Sequence, residues 1–176
     1  MEKLKQSHHV SIHWRSYELR PAGAPPISPE YRERILAARP QMIAMAREHY
    51  KLEINNGPFG IDSRPALVGA KFAESEGKGE AYHDAVFRAY WQEGQDIGET
   101  AVLTTIAQTV GLPQDAFLAA LNDDQFENQV TADIEQAIAY GLRGVPALVY
   151  NNKFLVSGAQ PYDMLVQVAE KAREEA

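Results

Sequence analysis

The stretch Gly141-Leu142-Arg143-Gly144-Val145-Pro146-Ala147 runs into Leu148-Val149-Tyr150, then Asn151-Asn152, then Lys153-Phe154-Leu155-Val156. The pieces from Ala147 onward predict a hairpin, because adjacent asparagines tolerate the positive φ that a tight two-residue turn requires. A glycine-rich approach to Val145-Pro146 at the mouth of a strand suits a cis peptide bond, a form nearly confined to X-Pro. Alone, the same string is also an ordinary turn, so the surrounding order of elements has to decide its meaning. Beyond the hairpin, Gly158 opens a turn and Pro161 starts an amphipathic helix through Met164, Leu165, Val168 and Ala172.

Upstream of Gly141 the period is helical. Val10 to Leu19 alternates β-branched, aromatic and polar residues and reads as a strand stopped by Pro21. Pro21, Pro25, Pro26 and Pro29 make a connection, and Ser28 can cap a helix that has Pro29 in its first turn. Pro40 is expected to end or kink that helix, with Gln41 to Lys51 as a second segment and Asn55-Asn56-Gly57-Pro58 as a loop. Ser63 is the next expected cap, ahead of Ala66, Leu67, Ala70 and Phe72. Helices follow over 82–91, 98–110, 113–121 and 123–140, the second and last closed by Gly111 and Gly141 respectively. The sum is an α/β chain of one domain, residues 1–176, with a large helical insertion at about 28–141.

A chain of 176 residues can bury a core without disulfides or metals. Its formal net charge is −7 and its basic residues are scattered, which argues against nucleic acid as a partner. No apolar run reaches the length of a membrane span, and the polar opening Met1 to His9 does not read as an export signal, so a cytoplasmic protein is expected. There is no cysteine. Thiolate nucleophiles, disulfides and thiolate metal sites are therefore excluded within these residues.

Other chemistry is not called for by the pattern. The five histidines are dispersed, no HExxH or carboxylate–histidine cluster occurs, and no metal or cofactor is expected. No Gly-x-Ser-x-Gly elbow is present, so Ser157 reads as turn chemistry. Trp14, Tyr82, Phe87, Tyr90 and Trp91 are expected in the core, and Glu74, Glu76, Lys78 and Glu80 on a solvated face.

The order strand, helical insertion, Gly-Val-Pro, hairpin, helix resembles the thioredoxin fold with the insertion that marks DsbA-like proteins. Three segments make it similar to the cytoplasmic FrnE-like branch: Phe87 to Gly98, Gly141 to Ala147, and Lys153 to Pro161. The Ser157-Gly158-Ala159-Gln160-Pro161 string is the most specific, and the likeness runs from Val10 to about Ala172. Members of the family begin with a strand and a Cys-x-x-Cys-type motif at a helix start. Here Met1 to Leu4 resembles the tail of that helix, and the strand and motif are missing from this chain.

The resemblance implies that the missing strand would lie between Val10–Leu19 and Ala147–Tyr150. Without it, both neighbours lose backbone partners at about 1–3 kcal/mol per buried group, and open apolar edges are left for association. A native protein extending upstream of Met1 is one expectation, and a homo-oligomer paired across the open sheet is another. The resemblance also makes Gly144, Val145 and Pro146 the substrate-binding loop, with protein thiols or disulfides as substrates once a thiol is restored. No catalytic residue carries over. The implied activity is thiol–disulfide oxidoreductase or isomerase, with this Cys-free chain redox-inactive as written. Alternatives are a non-catalytic peptide- or partner-binding protein, and a relative of glutathione-dependent isomerases or kappa-type transferases.

Overall fold

The structure is a computed structural model, and it describes residues 1–21, 23–55 and 57–175. Two compact units emerge, Met1–Leu19 with Thr131–Ala176, and Arg20–Val130. In chain order the helices are α1 (Glu2–His8), α2 (Pro29–Met45), α3 (Arg64–Ser75), α4 (Gly79–Trp91), α5 (Thr100–Thr109), α6 (Gln114–Ala120) and α7 (Asp124–Ala139). Strands β1 (Ala147–Tyr150) and β2 (Phe154–Ser157) and helix α8 (Tyr162–Glu174) complete the order. The unit boundary falls inside α7.

Unit Arg20–Val130 is helical. Ser28 Oγ accepts the Tyr31 N–H at 3.2 Å, the cap expected ahead of Pro29. Pro40 does not end this helix. The helix continues to Met45 and passes into a π-helical turn, Ala46–Tyr50, closed by Lys51 at φ 56°. The proline costs the bond from its own nitrogen and crowds the carbonyl four residues back, and the helix nevertheless continues past it. Ser63 makes no side-chain cap; the Asp62 carboxylate accepts the Arg64 N–H at 2.9 Å instead. Of the expected loop 55–58, Asn56 lies outside the described residues.

The core of this unit is aromatic. Phe72 meets Phe117 and Phe126 edge-on at 6.1 and 5.6 Å, and Tyr82 lies 5.8 Å from Phe117. Gly69 makes room for them: a Cβ there would come within 2.5 Å of the Tyr82 hydroxyl and 2.9 Å of the Phe117 ring. α4 buries Tyr82, Val86 and Ala89, a stripe at i, i+4 and i+7. Phe87 and Trp91 fall off that stripe and are exposed, Phe87 by 52%, contrary to the core placement expected for both.

The Tyr82 hydroxyl is buried, and among the described residues it has no hydrogen-bond partner. Burial pushes its pKa up from the ordinary tyrosine value. An unpaired buried hydroxyl costs about 1–3 kcal/mol, so Tyr82→Phe is expected to raise stability by about 1–2 kcal/mol in urea unfolding. A loss of stability in that variant would instead place a partner on the hydroxyl.

Unit Met1–Leu19 with Thr131–Ala176 contains the hairpin and α8. Asn151 and Asn152 take φ 48° and 55°, and the Lys153 N–H closes the turn on the Tyr150 C=O at 2.9 Å. The strands pair antiparallel, with Leu148 opposite Val156 and Tyr150 opposite Phe154. Asn151 Nδ2 donates to the Ala172 carbonyl at 2.8 Å, and the Lys171 ammonium sits 5.3 Å from the centre of the Phe154 ring, which ties hairpin to helix.

Val10–Leu19 does not form the expected strand. Among the described residues the sheet has two strands, β1 and β2, and the segment joins neither. A strand exists only through its ladder, and this backbone is held by a side chain instead. The Asp133 carboxylate accepts the Ser16 N–H at 2.8 Å and the Arg15 guanidinium at 3.1 Å, with Ser16 and Asp133 both buried. Trp14, expected in the core, is 43% exposed.

Candidate functional site

The loop ahead of β1 is built by the end of α7. Gly141 takes φ 69°, its N–H bonds the Ile138 carbonyl at 2.9 Å, and the Leu142 N–H bonds the Ala137 carbonyl at 3.0 Å. This is the glycine C-cap with the helix's last carbonyls satisfied. The chain then crosses Arg143 and Gly144 to Val145-Pro146, where the peptide bond is cis.

Gly144, Val145 and Pro146 are adjacent to open space. A carbon placed on Gly144 would meet no atom within 4 Å. Val145 is 53% exposed, and Pro146 is exposed beside it. The Pro146 carbonyl accepts the Gly158 N–H at 2.8 Å, which fixes the loop to the far end of β2. No described residue hydrogen-bonds the N–H or C=O of Val145. The loop therefore presents a donor, an acceptor and an apolar side chain together.

Among the described residues, no group of three or more His, Asp and Glu side chains could hold a metal ion. His8 is engaged by Ser7 Oγ at 2.7 Å and lies 4.0 Å from the Glu170 carboxylate. His83 stacks on Phe87 at 4.5 Å, and its burial holds its pKa below the ordinary histidine value against the pull of Asp84 and Glu74. His9, His13 and His49 are exposed.

Sequence reading missed the Asp133 anchor. A signal was present: Phe126, Val130, Asp133 and Ala137 share one buried stripe of α7, and a carboxylate on an apolar stripe demands a partner. The partners, Ser16 and Arg15, are more than a hundred residues away, and nothing local points to them.

A β-hairpin backed by a helix, entered through an exposed Val-Pro loop, in a chain whose intervening residues are helical, defines a thioredoxin-like fold of the DsbA type. The model of the DSBA-like thioredoxin domain matches residues 1–169, and the chain belongs to that family. It is 30% identical over 131 residues to the uncharacterized protein YwbO of Bacillus subtilis (strain 168), an overlap of 72% of this chain and 64% of that protein. It is 31% identical over 100 residues to the thiol:disulfide interchange protein DsbA of Azotobacter vinelandii, covering 55% of this chain and 46% of that one. The chain thus spans less than two thirds of the length of either relative. Among solved structures, the probable DsbA oxidoreductase SCO1869 from Streptomyces coelicolor superposes with a TM-score of 0.81 at 26% identity, over 92% of this chain and 75% of that chain.

Proposed function

We propose that this chain is the substrate-recognition part of a thiol–disulfide oxidoreductase or isomerase of the FrnE-like branch, and that its 176 residues exchange no thiol by themselves. The observation that carries this reading is the exposed Gly144-Val145-Pro146 loop, with free Val145 backbone groups, in a sequence with no cysteine. Thiol–disulfide exchange begins with a thiolate attacking a disulfide sulfur, and this chain holds neither. What remains is the capacity to bind: an extended peptide can pair with the Val145 N–H and C=O while its side chains lie on Val145 and Pro146. The attacking thiol is then supplied by residues outside this chain, and protein thiols or disulfides are the substrates. A cytoplasmic location, and one domain over 1–176 with its insertion at about 28–141, belong to the same proposal.

Two assays test it. Reduction of insulin by dithiothreitol is expected to proceed at the same rate with and without the protein; any acceleration overturns the redox-inactive reading. An unfolded, carboxymethylated protein such as α-lactalbumin is expected to bind, and Val145→Asp to weaken that binding about tenfold, or 1.4 kcal/mol. Binding that is indifferent to Val145 would remove the loop from the site, and saturable binding of glutathione would move the reading to the glutathione-dependent relatives.

A further inference from the structure

Past Pro40, helix α2 reads Met42-Ile43-Ala44-Met45 and passes into the π-helical turn Ala46-Arg47-Glu48-His49-Tyr50. Met42, Met45 and His49 stand at i, i+3 and i+7. That spacing makes each the neighbour of the next on one helix face, about 5–6 Å apart at Cβ. The wider winding of the π-turn keeps His49 on this face, since a residue four positions on still falls about one turn along. The helix packs through another side, where Ile35, Arg39 and Ile43 are half-buried and Ala46 is buried. Met42 and Met45 are left 38% and 49% exposed, and His49 is exposed beyond them.

Methionine ordinarily earns its place by filling irregular gaps in a core, and neither of these side chains does so. Leucine would favour the helix equally. What methionine adds is a thioether sulfur, and two of the three internal methionines of the chain sit here one turn apart. The third position of the row is an imidazole, and no hydrogen bond or ion pair with a described residue holds its ring. An apolar partner laid on this face would have to bury that ring without a polar contact, which is costly. A metal ion, by contrast, uses all three groups.

The donor set selects the ion. Calcium and magnesium take oxygen ligands, and the carboxylate of Glu53 is committed to Arg47, with contacts of 2.6, 2.9 and 3.1 Å. Thioethers are soft ligands that favour Cu(I), and imidazole suits copper as well. A π-turn inside a helix is also a feature found mostly at functional sites, and here it carries the third ligand. We propose that Met42, Met45 and His49 form a Cu(I) site, two sulfurs and one ring nitrogen holding the ion on the open face of α2. The site uses no residue of the Gly144-Val145-Pro146 loop, so it stands or falls independently of peptide binding there.

The 176 residues include no cysteine, so a Cu(I) titration of this chain reads these ligands without a thiolate background. Titrated anaerobically, with ascorbate, against the Cu(I) complex of bicinchoninic acid, the chain is expected to withdraw one ion. Met45→Leu and His49→Gln should each weaken uptake about tenfold or more, since loss of an outer-shell partner alone costs about 10–100-fold. Met→Leu conserves volume and helix propensity, so circular dichroism should not change. His9→Gln and Met164→Leu should keep full affinity. Ag(I), a closed-shell ion of similar softness, should shift the methyl NMR signals of Met42 and Met45 and leave that of Met164 in place. Absence of uptake overturns the proposal, as does uptake that survives Met42→Leu combined with Met45→Leu. Uptake that falls with His9→Gln or Met164→Leu overturns it too, by placing the ion elsewhere. If Zn(II) shifts the two methyl signals as Ag(I) does, the assignment to Cu(I) is wrong.

Discussion

Replacing Phe117 by Ala is expected to lower the unfolding free energy by about 3–5 kcal/mol, the range for emptying a fully buried aromatic site. Phe117 has no exposed surface and sits between Phe72, Tyr82 and the Cα of Gly69. The helices around it cannot close the hole cheaply, because Gly69 has no side chain to swing into it and the flanking rings are already packed edge-on. About 0.5–1.5 kcal/mol of the loss comes from those ring contacts rather than from transfer. In a chain of this size the midpoint of thermal unfolding should fall by about 6–20 °C. A loss under about 1 kcal/mol would mean that the core collapses around the gap, a degree of plasticity that close-packed interiors do not show.

Leu4→Ala is the second large effect, about 2–5 kcal/mol. Helix α1 has 7 residues, far too few to be stable alone, so its existence depends on docking against α8. Leu4 is 1% exposed and is the one apolar anchor buried on α1. Around it, Ser7 Oγ and the Tyr162 hydroxyl meet at 2.7 Å, the Lys3 ammonium lies 4.0 Å from the Tyr162 ring centre, and Arg173 donates to the His8 carbonyl at 2.5 Å. Those contacts are exposed and worth little each. They orient the helix, while Leu4 supplies the free energy. Amide exchange should separate the two: in Leu4→Ala the amides of α1 lose protection, while those of α3 to α6 keep theirs. If α1 stays protected, the polar contacts hold it and the assignment to Leu4 is wrong.

The elements that were legible in the sequence carry their cause within a few residues. Ser28 before Pro29, Gly111 and Gly141 after apolar helical runs, and Asn151-Asn152 between two β-type runs each specify a local backbone state, and each takes it. The hairpin with its Val-Pro loop carried the family, and the family model agrees. The misses lie where the cause is remote. Val10–Leu19 has the composition of a strand, but whether a strand forms depends on a neighbour, and Asp133 takes up the Ser16 amide instead. Phe87 and Trp91 have the composition of core, but α4 turns Tyr82, Val86 and Ala89 inward, and the two large rings face out.

By itself, then, the sequence determined the helix ends marked by Ser28-Pro29, Gly111 and Gly141, where the hairpin turns, and that these residues hold no thiol, because capping, turn geometry and residue inventory are local or absolute properties. Only the tertiary structure decided which extended segment enters a ladder, which aromatic rings are buried, and that the Tyr82 hydroxyl enters the core with no hydrogen-bond partner among the described residues. Those outcomes turn on what lies across from a residue, and hydrogen bonding and burial are relations between partners far apart in the chain.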